Sequence, residues 1–129
     1  YQVFLQNDPV IQATISAIET GLQRPNGGVY RYTADVYYGG GEWILLAAWL
    51  GWYYTSVGKI EEAEILSRWI ESQADSDGEL AEQVSDHLLF PDQFEPWIKK
   101  WGPIAKPLTW SHAMYIILEN AINEGKKHV

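Results

Sequence analysis

A chain of 129 residues with 47% hydrophobic and 20% charged residues has the composition of one globular domain or a piece of a larger one, not of a disordered segment. Nine basic against seventeen acidic residues give a net charge of −8, a field that repels phosphate backbones and anionic lipids, so no nucleic acid and no membrane is expected as a partner. Zero cysteines remove disulfides, thiolate nucleophiles and Cys-ligated zinc. Their absence is compatible with a reducing compartment, and a cytoplasmic location is the expectation.

Asp8 followed by Pro9 is an N-cap acceptor before a proline at the first helical position. Ile11, Ile15, Ile18 and Leu22 recur at helical spacing behind it, which predicts an amphipathic helix over about 9–23. Arg24-Pro25-Asn26-Gly27-Gly28 ends that helix, and the chain reads as loop as far as the triple glycine ending at Gly41. Residues 43–54 are apolar all round and too few to cross a bilayer, so they predict a helix buried within protein. A further helix is predicted over about 59–74, with Ile60, Ala63, Leu66 and Ile70 inward and Glu61, Glu64, Arg68 and Glu71 outward. Glu64 and Arg68 are ordered for an i,i+4 pair of ~0.3–0.5 kcal/mol.

Residues 75–108 read mostly as loop, with a short helix after Glu82. A last helix is predicted from Thr109 or Ser111 to about Glu124, with Trp110, Ala113, Met114, Ile117 and Ala121 on one face. No β-hairpin signal is present. The fold class is all-α, built as helix pairs joined by long loops, and loops that long usually carry function.

The metal and triad motifs fail on inspection. Asp75-Ser76-Asp77-Gly78 resembles a calcium loop, but an EF-hand with Gly78 in its fixed position would need acidic ligands where Gln73 and Val84 stand. His87, His112 and His128 lack metal-ligand spacing, and the sequence neighbours Ser111 and His112 point in different directions on a helix. Neither a metal nor a cofactor is expected. What remains is carboxylates among seven Trp and eight Tyr, flat apolar faces with polar handles that suit the two sides of a sugar ring. Glycoside hydrolysis needs two carboxyl groups; in an inverting enzyme they stand ~6.5–9.5 Å apart, one as acid and one as the base that activates water. Glu82, at a loop-to-helix boundary and followed by Gln83, is the candidate base, although a single glutamate in an acidic chain is more often a solvated surface charge.

The order of three motifs changes that balance. Arg31-Tyr32-Thr33-Ala34-Asp35-Val36-Tyr37-Tyr38-Gly39-Gly40-Gly41-Glu42-Trp43 resembles the Arg-Tyr-x-x-Asp-x-Tyr-Tyr-x-Gly-x-x-Trp segment of glucoamylases. Gly78-Glu79-Leu80-Ala81-Glu82-Gln83 is similar to that family's Glu-Gln base motif, with Ala81 where many members carry Pro. Pro107-Leu108-Thr109-Trp110-Ser111-His112-Ala113 resembles the Leu-Thr-Trp-Ser segment that follows.

The resemblance, to glycoside hydrolase family 15, implies part of an (α/α)6 barrel of six inner and six outer helices. It implies Glu82 as the catalytic base and Arg31, Tyr32, Asp35, Trp43, Gln83 and Trp110 as substrate-binding residues, with an α-linked glucose oligosaccharide as ligand. The family's general acid lies upstream of anything matched here. Residues 1–129 are therefore expected to be the C-terminal portion of an inverting, exo-acting α-glucosidase. Its partner would be the N-terminal half of the barrel or, in isolation, another copy of itself. The aromatic segment Phe94–Trp101 is the candidate for choosing the linkage. The alternative is a non-catalytic glucoamylase-like regulatory or sugar-binding domain.

Overall fold

The computed structural model describes residues 3–127, so His128 lies outside the described residues. Helix α1 spans Pro9–Gly21, and the Asp8 carboxylate accepts the Val10 N–H at 2.8 Å as the N-cap predicted. The helix is an outer layer with no fully buried residue; Ile15, Ile18 and Leu22 lean on the core from outside.

The core is the triangle of α2 (Ile44–Ser56), α3 (Ile60–Ser72) and α5 (Thr109–Lys126), which pack on one another in every pair. Ile44, Ala47, Ala48, Leu66, Ile70 and Leu118 are wholly out of solvent at its centre. Gly51 lets α5 approach, since a Cβ there would stand 2.9 Å from Leu118 Cδ1. The all-apolar stretch does form a helix, but not one enclosed on every side: Trp49 and Trp52 are each 42% exposed. Glu64 joins α3 to the end of α5 through Lys126, 2.6 Å away, and meets Arg68 at 3.6 Å. Lys126, more than Arg68, holds the Glu64 carboxyl below the ordinary glutamate range.

Two expectations need correction. The buried face of α5 is Ser111, Met114, Leu118 and Ile122, rotated from the predicted one: Trp110 is 53% exposed and Ile117 38%. A serine heads the buried stripe because its hydroxyl donates to the Ala81 carbonyl at 2.7 Å, which removes the cost of burying it. The short helix expected after Glu82 is instead a strand: Glu42–Trp43 (β1) pairs antiparallel with Gln83–Val84 (β2), Trp43 opposite Gln83. Two-residue strands carry no readable period.

The helix in that region comes later, as α4 (Phe94–Trp101) behind a 3-10 turn at Pro91–Gln93. Pro96 sits in its first turn, where no intrahelical N–H is needed, and Gly102 ends it at φ 84°. No helix among the described residues is long and apolar enough to cross a membrane.

Leu118, buried between α2 and α5, sets the first test. Leu118→Ala should lower the unfolding free energy by ~2–5 kcal/mol, read as a lower urea midpoint at unchanged slope.

Candidate active site

The site is built where the glycine-rich loop meets the strand pair. Arg31 forms a two-pronged ion pair with Asp35, Nε to Oδ2 at 2.9 Å and Nη2 to Oδ1 at 2.8 Å. The Tyr37 N–H adds a third bond to Asp35 Oδ1 at 3.0 Å. Asp35 is 1% exposed and wholly engaged by these partners, whereas the Arg31 side chain it holds stays 37% exposed. The Asp35 hydrogen bonds tighten the guanidinium's hold on its proton, with burial opposing. The cation is flanked by the rings of Trp43, Tyr37 and Tyr32 at 4.8, 5.1 and 5.2 Å from their centres. Tyr32, 48% exposed, leaves its ring to solvent.

The loop turns back through a 3-10 turn, Tyr37–Gly39, with Tyr38 in the left-handed region at φ 47°. A non-glycine residue persists there only where its surroundings over-determine it. Tyr38 is buried, and its hydroxyl donates to the Gly102 carbonyl at 2.9 Å. The next two glycines are required by contact: a Cβ on Gly40 would lie 2.1 Å from the Asp35 carbonyl oxygen, and one on Gly41 2.2 Å from that of Val84.

Opposite this loop, the segment carrying Glu82 is pinned by the start of α5. The Leu80 N–H donates to His112 Nε2 at 3.0 Å, Leu80 O accepts from Leu108, Ala81 O accepts from Ser111, and the Glu82 N–H donates to Ala105 O. Ser111 and His112, no triad, are thus the clamps of the Glu82 loop. Glu82 is half-buried, and its Oε2 accepts the Tyr37 hydroxyl at 3.0 Å. Its Oε1 takes no hydrogen bond from the described residues. Burial first, and the Glu82 carboxylate second, push the Tyr37 hydroxyl up to about 12.

Gln83 lies inside the wall of the site and not on its surface. It is 2% exposed; its Oε1 accepts the Gly41 N–H at 2.8 Å and its Nε2 donates to the Tyr37 carbonyl at 3.3 Å. It therefore holds Glu82 through the backbone. Trp43 is 8% exposed, stacked on Tyr37 with ring centres 6.1 Å apart. Trp110 packs edge-on against Trp49, ring centres 5.6 Å apart.

Among the candidates, then, Arg31, Tyr32, Asp35, Trp43, Glu82 and Gln83 come together, and Trp110 joins them only indirectly, through Ser111, which binds the Ala81 carbonyl beside Glu82. Tyr37 is not among the site residues the sequence names; Trp97, whose ring centre is 5.0 Å from that of Tyr37, belongs to the aromatic segment Phe94–Trp101 expected to choose the linkage. Tyr37 stands within the first motif, but nothing in the sequence tells which of three neighbouring tyrosines faces Glu82.

Glu42 points to the other side of β1 from Trp43, as alternation along a strand requires. It is 1% exposed, with Arg24 Nε at 3.1 Å and His87 Nδ1 at 3.4 Å. Arg24 is close but poorly aligned, and neither Arg24 Nε nor Glu42 Oε1 completes a hydrogen bond among the described residues. Burial raises the Glu42 carboxyl above its ordinary range, with His87 and Arg24 opposing. No group of three or more His, Cys, Asp or Glu among the described residues is arranged to hold a metal ion.

A half-buried carboxylate with one oxygen held by a phenol, beside a guanidinium framed by aromatic rings, is an arrangement suited to a polyhydroxylated ligand and an activated water. No protein-family model matches the chain. It is 47% identical over 116 residues to isomaltose glucohydrolase of Kribbella flavida, a match covering 90% of this chain and 30% of that protein. A glycosidase variant solved in complex with glucose is 45% identical with a TM-score of 0.89, covering 93% of this chain and 32% of that one. A bacterial glucoamylase complexed with acarbose is 28% identical with a TM-score of 0.70, covering 93% and 18%.

By sequence and fold the chain is a homologue of the glucoamylase-type glycosidases, glycoside hydrolase family 15, and its mostly helical architecture is consistent with part of their (α/α)6 toroid. It spans about a third of the length of the relatives it matches most fully.

The Tyr37 contact makes its own prediction. A folded pKa raised above the free value means that this group stabilises the fold below pH ~10 and loses that contribution as pH rises through about 12. Stability should therefore fall across that window, and less steeply in Tyr37→Phe, as measured by denaturant midpoint against pH.

Proposed function

We propose that the intact protein is an inverting, exo-acting α-glucosidase, that residues 1–129 form the C-terminal portion of its catalytic barrel, and that Glu82 is the general base. The observation that carries this reading is the state of Glu82: Tyr37 occupies Oε2, the backbone around it is fixed at four points, and Oε1 is left for a water. In the proposed reaction that water attacks the anomeric carbon while Glu82 takes its proton. The glycosidic C–O bond breaks towards the leaving oxygen, which a carboxylic acid from the remainder of the barrel protonates. The anomeric centre inverts.

Arg31 still has N–H donors beyond the two given to Asp35 and is the reading's main hydroxyl-binding group. Tyr32 offers an exposed ring to the sugar, and Trp43 shapes the wall behind Arg31. Asp35 and Gln83 serve as positioning residues. Trp110, exposed beside Trp49, forms a pocket wall once the rest of the barrel surrounds it. The isomaltose glucohydrolase relative makes an α-1,6-linked glucose disaccharide the first substrate to try.

Two outcomes are expected. The intact protein should release β-glucose from isomaltose in preference to maltose or trehalose, followed by NMR of the nascent anomer, and Glu82→Gln should lower kcat by ~10²-fold or more. Release of α-glucose, or a fully active variant, would remove Glu82 from the role of base. Residues 1–129 alone expose Trp49, Trp52, Trp110, Ile116 and Ile117, an apolar face larger than monomers usually leave open. That fragment should self-associate in light scattering; a monomer at high concentration would contradict the barrel reading of this face.

A further inference from the structure

Helix α4 carries a feature that the proposed cleavage site does not use. Gln93, Pro96, Trp97, Lys100 and Trp101 stand at i, i+3, i+4, i+7 and i+8, one continuous stripe of the helix and the turn before it. That stripe lines an open cavity of about 320 Å³, at the lower end of the ~300–1,000 Å³ usual for small-ligand sites. Trp97 is its inner wall, wedged on Tyr37 and Tyr38 with ring centres 5.0 and 5.6 Å away. Trp101 is its outer wall and is 63% exposed, the most open tryptophan of those left on the surface. Lys100 Nζ lies over the Trp101 ring, 5.0 Å from its centre.

The chemistry of this cavity is that of a neutral polyol site. An apolar ring face suits the C–H side of a pyranose, while the Lys100 ammonium and Gln93 amide supply donors and an acceptor for its hydroxyls. Lys100 is the one cation of the lining, and on the segment Asp92 and Glu95 balance Lys99 and Lys100, so no surplus of positive charge is built there for an anionic ligand. The site is also held rigidly. Tyr38 anchors the helix end through the Gly102 carbonyl, and Trp97 shares Tyr37 with the base, so the cavity cannot drift relative to Glu82.

We propose that the Gln93–Trp101 stripe is a second sugar-binding site, taking one glucose unit between Trp97 and Trp101. Its ligand class, α-linked glucose, rests on the proposed function; its existence as a binding site does not. The test uses the intact Glu82→Gln protein, uniformly labelled with fluorotryptophan and titrated with isomaltotriose, with the Trp101 resonance assigned by Trp101→Phe. That resonance should shift and saturate, and Lys100→Ala should weaken its apparent affinity by roughly three- to tenfold, the effect of one lost hydrogen bond.

An unmoved Trp101 resonance, while tryptophans elsewhere respond to sugar, would overturn the proposal. So would a Trp101→Phe or Lys100→Ala variant that loses thermal stability but binds sugar as its parent does, since the stripe would then be a packing surface for the rest of the barrel. Failure of the parent protein to hydrolyse any glucoside would defeat the proposed function and leave this result standing.

Discussion

The side-chain amide of Gln83 is the tie on which the site depends. The loop ending at Gly41 and the segment beginning at Leu80 are too short and irregular to hold each other by a regular sheet; their ladder is two residues long. Gln83 extends it by proxy, accepting from Gly41 and donating to Tyr37. Because both bonds end on backbone, the geometry is indifferent to what side chains the loop carries, provided that positions 40 and 41 have no Cβ. A buried amide with both ends satisfied strengthens such a junction, and one left with an unpaired end would weaken it by ~1–3 kcal/mol. Tyr37 is gripped twice, by its carbonyl to Gln83 and its hydroxyl to Glu82, so the residue before the tie is placed along with the tie itself.

Around this junction the acidic residues divide their duties by burial. Asp35 and Glu42 are equally hidden, yet only Asp35 is fully satisfied, by a fork from Arg31 and an N–H from Tyr37. Glu42 is compensated loosely, by a misaligned arginine and a histidine, and its proton affinity rises accordingly. Glu82, half-buried where those two are hidden, keeps an Oε1 that takes no hydrogen bond from the described residues. The Arg31–Asp35 unit keeps a cation at the surface without letting it wander, because guanidinium donors fixed on a carboxylate cannot swing to solvent. The aromatic rings beside it make the same point for the apolar side of the site.

Much of this was legible in the sequence, for identifiable reasons. Asp8-Pro9 and the apolar spacing of α1 and α3 are local signals, and both helices lie where they were expected. The glucoamylase-like motifs located Arg31, Asp35, Trp43 and Glu82 in one cluster, although motif order says nothing of which atoms touch. The resemblance implies Asp35 and Gln83 as substrate-binding residues, and motif order cannot foretell that both are buried, Gln83 by partners some forty positions away. Helix α4 was hidden by its proline and by its brevity. The buried face of α5 was misplaced because Ser111 heads it, and a serine joins an apolar stripe only when a carbonyl happens to await it. The strand pair had no period to find.

The spacing of those contacts along the chain has a kinetic meaning. Glu82 meets Tyr37 across 45 residues and Gln83 meets Gly41 across 42, with the α2–α3 hairpin between them. Each bond closes a long loop whose entropy must be met before the bond returns anything. The helical hairpin, rich in local contacts, can assemble first and bring its two flanks together; only then can the Glu82 loop dock. What docks last from the unfolded side is also among the first to open from the folded side, so brief local unfolding should release Glu82 while α2 and α3 remain paired.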